Sequence, residues 1–341
     1  MCVWTGYIGP RKAAAESLGM LQRIEGIWSG FYTGLAVLGG DGKLRHAKTT
    51  GYSRYWLEQF RLADFPGQIG LAHSRTDSGG DARWGHPFVS SDGQLALIAQ
   101  GSQGIFGGER GTVEAIGNRL LSAGCSFSSA VPKINGRHPV LADGSEVHSS
   151  DVHAEAVAYA YSQSGDHQQA LAAHADLPSE AVYVSLFQDC PDTLWLANVN
   201  QRCLIGYAPG EVFLASSALA FPERVTHVEE LPGNVIASVQ VSGLRILQSL
   251  SARYQPIEEP PSGLEKPFLA YLAEHPWSLL AHIVDQAIKP CYPFSNLGRR
   301  ATAGHRLLEK LVRDGQIEDR HLEYQTDAGI CGLITQWHLC D

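Results

Sequence analysis

Short apolar runs separated by Gly, Asp and Asn dominate the chain from its start to about residue 245. One group lies at 34–38, 69–72 and 95–98, and a second at 182–187, 194–199, 203–207, 212–215 and 235–239. Aliphatic and aromatic runs bounded by turn formers predict strands, and the close spacing of the second group predicts successive hairpins of one antiparallel sheet. Helical periodicity interrupts this pattern at 11–25 and at 151–163, the latter led by Ser149, Ser150 and Asp151 as capping residues. Two groups of strands with helices between them predict an α+β domain of stacked sheets and helices.

The pattern changes at 255–263, where three prolines and a glycine predict a semi-rigid linker. Beyond it, helical segments at 264–275, 278–288 and 300–314 precede candidate strands at 315–317 and 332–338. Three short helices and a hairpin give a winged-helix-like outline. The resulting division is a main domain over 2–245, a linker with hinge-like helices over 246–285 and a small winged-helix-like domain over 286–341. Arg299, Arg300, Arg306, Lys310 and Arg313 gather on the third helix, where a DNA reader would carry its recognition residues. Residues 265–341 nevertheless hold eight Lys and Arg against ten Asp and Glu. Phosphate binding draws on excess cationic charge, so the segment is expected to dock protein and to be dispensable for basal activity.

Composition narrows the function classes. A formal charge of −9 disfavours nucleic acid and anionic membranes as partners. No apolar run approaches the length of a membrane span, and the first residues lack the basic start and apolar core of a signal peptide, so a cytoplasmic protein is expected. Seven cysteines without a Cys-x-x-Cys pair predict neither a zinc site nor a disulfide framework. His148, Asp151 and His153 match no common ligand spacing, and the glycine-rich stretch 101–111 lacks the Gly-Lys-Ser/Thr ending of a phosphate loop. Neither a metal nor a cofactor is expected.

Cys2 stands apart because of its position. Once Met1 is removed it carries a thiol and a free α-amine, and an amine of ordinary pKa about 7.7 to 8.0 accepts a thiol proton near neutrality. One residue then supplies nucleophile and base.

Several motifs in order resemble the glutaminase half of glucosamine-6-phosphate synthase, a class II glutamine amidotransferase. Residues 2–7, Cys-Val-Trp-Thr-Gly-Tyr, are similar to the opening Cys-Gly-Ile-x-Gly-Tyr of that family. Arg23, Glu25, Gly30 and Gly34 fall in a segment similar to its Arg-Leu-Glu-Tyr-Arg-Gly-Tyr-Asp-Ser-Ala-Gly-Leu-Ala-Val. Residues 70–79, Gly-Leu-Ala-His-Ser-Arg-Thr-Asp-Ser-Gly, resemble Gly-Ile-Ala-His-Thr-Arg-Trp-Ala-Thr-His, and 85–90 resemble Ala-His-Pro-His-Val-Ser. Residues 98–101, Ile-Ala-Gln-Gly, stand in place of Val-His-Asn-Gly, and Ser150-Asp151 precede a helix as Thr-Asp does there. Residues 268–279 are similar to the Glu-x-Pro-x-Ser-Leu hinge that leads into the sugar isomerase, whose place is taken here by 286–341.

The resemblance implies a four-layer α/β/β/α fold of the N-terminal-nucleophile hydrolase type. It also implies a site in which Cys2 attacks the side-chain amide of L-glutamine. Arg75 would grip the substrate α-carboxylate, Ser78 would add a hydroxyl, and His86 would orient the loop. Gln100 and the Gly101 N–H would form the oxyanion hole, with Gln100 replacing the family's Asn, and Asp151 would receive the α-ammonium. Ammonia would pass to a synthase partner on another chain. Two other readings stay open: a non-catalytic glutamine-binding sensor descended from this family, and an N-terminal-nucleophile hydrolase for another amide.

Overall fold

The computed structural model describes residues 2–61, 64–102, 110–133, 138–176, 179–251, 261–292 and 297–340. Most of the proline-rich stretch and of the glycine-rich stretch lies outside these residues. The first half holds β1 (Val3–Ile8), α1 (Ala13–Ile24), β2 (Tyr32–Leu38), β3 (Leu44–Thr50), α2 (Ser53–Phe60), β4 (Ile69–Arg75), β5 (Phe88–Val89), β6 (Leu95–Ser102), α3 (Arg110–Ser122), β7 (Val131–Pro132), β8 (Ser145–Glu146) and α4 (Ser149–Ser164). The second group comprises α5 (His167–Leu171), α6 (Ala173–Asp176), β9 (Glu180–Phe187), β10 (Leu194–Asn198), β11 (Leu204–Ala208), β12 (Glu211–Ala215), β13 (His227–Glu230), β14 (Val235–Gln240) and β15 (Gly243–Ser249).

Apart from β7 and β8, which pair with each other, these strands build two antiparallel sheets, ordered β13-β11-β12-β1-β4-β2-β3 and β15-β14-β10-β9-β6-β5. The expected single sheet of successive hairpins is therefore corrected: β9 and β10 pair in one sheet, whereas β11 and β12 pair in the other. Strands buried on both faces carry no clean period of two, so their runs do not reveal which sheet they join; β9 and β12 are buried throughout.

The two sheets face one another through Trp4, Ile8, Ile69, Leu71, Ala96, Ile98, Val184 and Leu214. Their outer faces are covered by helices. Leu18, Leu21 and Ile24 of α1 pack on Val3, Tyr7 and Leu35, while Ala154 of α4 packs with Leu97, Ala99 and Tyr183. Helix α4 starts two residues before the predicted position, capped by the His148 ring, which accepts the Ser150 N–H at 3.2 Å. The expected capping residues lie inside its first turn.

The C-terminal part comprises α7 (Glu265–Glu274), β16 (Ser278–Leu279), α8 (Leu280–Ile283), a π turn at Val284–Ile288, α9 (Lys289–Cys291), α10 (Leu297–Arg313), β17 (Ile317–Gln325) and β18 (Cys331–Leu339). Its strands form a separate sheet, β16-β18-β17. Phe268, Leu272, Ile283, Leu308, Leu311 and Trp337 join the same apolar cluster as α1. Hydrophobic burial is shared between the two parts, and β15 runs past residue 245. The hairpin also sits close on the main body: a Cβ at Gly30, whose φ is +112°, would come within 2.3 Å of the Leu333 carbonyl oxygen.

Candidate active site

Side chains alternate across a strand, so the apolar residues already placed fix where the polar ones point. On β1, Val3 and Tyr7 face α1 while Trp4 and Ile8 face the second sheet, which puts Cys2 on the side of Trp4. On β4, Ile69 and Leu71 face the second sheet, and so by alternation do His73 and Arg75. Ala96 and Ile98 of β6 face back toward the first sheet, and Gln100 continues their side. Val3 pairs with Ser74, which brings Cys2, immediately before β1, beside Arg75. Cys2, Arg75 and Gln100 thus share one end of the gap between the sheets, with Cys2 partly exposed.

Arg75 is held from one side only. Its Nη2 donates to Ser78 Oγ at 2.5 Å and to the Gly79 carbonyl at 2.9 Å, and its guanidinium lies 4.4 Å from the Tyr32 ring centroid. Nη1 is buried and has no hydrogen-bond partner among the described residues. Burial disfavours the cation, and the Cys2 thiol lies within electrostatic range of it. Ser78 serves the arginine, as an acceptor.

Asp151 shows the same half-satisfied pattern with opposite charge. It lies in the first turn of α4, fully buried, and its Oδ2 accepts the Ser129 N–H at 2.7 Å and the Ser128 hydroxyl at 3.2 Å. Oδ1 has no partner among the described residues. Burial raises its pKa, against those hydrogen bonds and the nearby Lys48 cation. Unpaired buried charge is costly, and a bound group of opposite sign relieves the cost.

His86 ties the two sheets' ends to this helix. Its Nε2 is 2.9 Å from the Ser150 hydroxyl, and its ring lies 4.0 Å from that of His73, whose Nε2–H donates to the Ala99 carbonyl at 3.0 Å. Burial keeps His86 neutral and drives the His73 pKa down to about 3. His86 therefore connects β4 to the turn that carries Asp151. Gly101 has φ +135°, and a Cβ there would come within 2.2 Å of the Glu180 carbonyl oxygen, so only glycine fits. Gln100 is buried, and its Oε1 accepts the Trp4 indole N–H at 2.9 Å.

Some surrounding groups carry no short-range sequence signal. Lys48 donates to the Arg83 carbonyl at 2.9 Å and lies 4.3 Å from the Phe88 ring; burial lowers its pKa to about 8, offset in part by Asp151. Glu25 is buried at the end of α1 and accepts from Thr33 at 2.9 Å, Ser74 at 2.7 Å and both the N–H and hydroxyl of Ser53. Since Ser74 precedes Arg75, this carboxylate braces the strand end that carries the arginine. His148 and His153 sit in separate aromatic clusters, the first against Phe88 and the second against Tyr183 and His174.

Replacing Arg75 by Lys keeps the charge but removes the fork that grips Ser78 and Gly79 while leaving a second prong for a ligand. Since the resemblance implies that Arg75 grips the α-carboxylate of glutamine, Arg75→Lys is expected to weaken binding of that ligand about 10- to 100-fold, the equivalent of one charge-assisted hydrogen bond. Calorimetric titration with glutamine checks it; unchanged affinity removes Arg75 from the site.

No family model matches the chain. By sequence it is 28% identical over 240 residues to the glutamine–fructose-6-phosphate aminotransferase of Tropheryma whipplei (strain Twist), covering 67% of this chain and 35% of that protein. The corresponding protein of Leifsonia xyli subsp. xyli is 28% identical over 229 residues, 66% and 33% of the two chains. This chain therefore spans about a third of the length of the curated relatives it matches. By structure it is similar to the glutamine phosphoribosylpyrophosphate amidotransferase of B. subtilis complexed with ADP and GMP, with TM-score 0.56 and 17% identity over 80% of this chain and 58% of that one. A second similar structure is an allosteric regulatory enzyme of purine biosynthesis, with TM-score 0.60 and 15% identity over 89% and 62%.

In fold and in sequence the chain is similar to class II glutamine amidotransferases. Its sequence resembles the glutaminase region of the glutamine–fructose-6-phosphate aminotransferases, the enzymes also called glucosamine-6-phosphate synthases.

Proposed function

We propose that this chain hydrolyses the side-chain amide of glutamine and supplies the ammonia to a synthase on another chain. The observation that carries the reading is the pair of half-satisfied buried charges, Arg75 Nη1 and Asp151 Oδ1, which complement the α-carboxylate and α-ammonium of an amino acid. Cys2 stands beside the arginine. With Met1 removed, its α-amine takes the thiol proton and the thiolate attacks the amide carbon. The Gln100 side-chain N–H and the Gly101 N–H receive the developing oxyanion. The amine returns its proton to the leaving nitrogen, the C–N bond breaks and ammonia departs. Water then adds to the glutamyl thioester, the C–S bond breaks, and glutamate leaves with the thiol restored.

The arrangement of α1, the two sheets and α4 supports the four-layer reading of this domain. The order helix, short strand, helices, hairpin over 265–339 supports a winged-helix-like C-terminal unit. Its long helix α10 is engaged by carboxylates: Arg306 donates to Glu230 at 2.7 Å, and Lys310 to Glu265 at 3.0 Å and Asp314 at 2.9 Å. Paired cations release few counterions on DNA, so we assign this unit to protein contact. Among the described residues no helix is long and apolar enough to cross a membrane, and we place the reaction in the cytoplasm.

Intact-mass measurement and a glutamate-release assay on the full chain test the reading. A mass lacking Met1 and glutamate formed from glutamine in equal amount with ammonia are expected. Retained Met1, which blocks the base, would overturn it. Glutamine binding without turnover would instead establish the sensor reading.

A further inference from the structure

Two departures from the resembling motifs meet in space. Trp4 occupies the place of an aliphatic residue and Gln100 that of an asparagine, and the two are 96 residues apart in sequence. Both are buried, on facing sheets, and the indole Nε1–H donates to Gln100 Oε1 at 2.9 Å. The direction of this bond is forced by chemistry, because an indole N–H only donates and the carboxamide nitrogen only donates. Trp4 therefore selects one of the two orientations of the amide and turns its N–H₂ group to the opposite prong. The strand geometry adds a second constraint. Alternation along β1 puts Trp4 on the same side as Cys2 just before the strand, so the group that orients Gln100 is fixed two residues from the sulfur.

We propose that Trp4 is the positioning residue of the oxyanion hole: its indole N–H holds the longer Gln100 side chain so that the amide N–H₂ serves where a shorter asparagine would otherwise be used. This rests on the glutaminase reading above. An oxyanion donor contributes only when preorganised, since a donor that must reorient at the moment of reaction loses its advantage over water. A glutamine has one more rotatable bond than an asparagine, and an anchor on its oxygen removes that freedom.

The test is a mutant cycle on the full chain. Trp4→Phe keeps an aromatic ring in the core and removes the donor together with part of the indole's volume. We expect it to lower kcat for glutamine hydrolysis about 10- to 100-fold, short of the full loss of an oxyanion donor, with KM changed less than about threefold. Gln100→Ala should lower kcat at least as much, and the double variant should fall no further than Gln100→Ala alone. Should Trp4→Phe fail to fold, Gln100→Asn examines the same contact, because the shorter amide leaves the indole unreached and should lower kcat in the presence of Trp4. Multiplying losses in the double variant, or unchanged kcat in Trp4→Phe, overturn the proposal. A second readout is independent of turnover: the side-chain amide NMR signal of Gln100 should shift and exchange faster with solvent in Trp4→Phe. If the wild type releases no glutamate, the function reading fails, and an unaltered Gln100 signal separately overturns the positioning role.

Discussion

The urea midpoint of this protein should fall steeply as the pH drops from 7 to 5. Among the described residues, seven buried histidines are held neutral: His73, His86, His138, His148, His153, His174 and His305. Burial is the leading cause for each, bringing His73 and His174 to about 3 and His138 and His305 to about 4. Their folded pKa values lie below the unfolded value of about 6.5, so the unfolded chain binds more protons below that pH. Stability is fully present above the unfolded pKa and is lost as the pH falls beneath it. Three buried carboxylates act in the opposite direction, with Glu155 raised to about 7 and Glu25 and Asp151 raised by burial. Histidines outnumber them, so unfolding takes up protons on balance once the pH falls below the unfolded histidine value. Each net proton taken up changes stability by about 1.4 kcal/mol per pH unit. Against total stabilities of about 5 to 15 kcal/mol, an uptake of even two protons is a large loss. His174→Phe, which keeps a ring stacked 4.0 Å from Tyr183, should reduce the slope by about one proton. A midpoint unchanged between pH 7 and 5 would refute the neutral-histidine account.

Most of this cluster was invisible in the sequence for a physical reason. A histidine reads the same whether it is solvated or buried, and the burial of His73, His86 and His148 arises where β4, the 85–90 turn and the start of α4 converge. Cys2, Arg75 and Asp151 can be singled out as candidates because each sits in a local motif whose neighbours fix its backbone: the start of a strand, a strand-to-loop junction and a helix start. The strands themselves were legible from their apolar runs, but their division between two sheets was not, since doubly buried strands look alike. The Trp4–Gln100 bond joins residues that no local pattern connects. The C-terminal packing escaped for a related reason: a proline-rich stretch announces a change of element but not whether the helices beyond it dock back onto the preceding core.

That docking carries the second large effect. Glu309 on α10 is nearly buried, and its two carboxylate oxygens accept Nη1 and Nη2 of Arg202, each at 2.7 Å. One of them also accepts the Ser217 hydroxyl at 2.7 Å and the Ala218 N–H at 2.8 Å. Burial alone would raise its pKa, but the hydrogen bonds from Arg202 and Ser217 bring it below the ordinary value. Through this one side chain the C-terminal unit holds the segment just after β12, where Ser216 exchanges hydrogen bonds with the backbone of Trp4. Glu309→Ala leaves the Arg202 guanidinium buried without its counter-charge and should cost about 3 to 5 kcal/mol, the usual penalty for breaking a buried pair from one side. Replacing both partners, Arg202→Met with Glu309→Leu, should recover most of that loss, because no charge is then left unpaired. The same packing argues against the expectation that 286–341 can be removed without consequence: deletion would strip Ile288, Leu308, Leu311 and Trp337 from the cluster around α1 and expose that apolar face to water. We expect the truncated chain to aggregate, and urea titration of the single and double variants at pH 7.5 to show the loss and its recovery. A Glu309→Ala protein within about 1 kcal/mol of wild type would show that the pair contributes no more than an exposed salt bridge does, and a soluble, fully active truncation would show that the glutaminase body folds without the C-terminal unit.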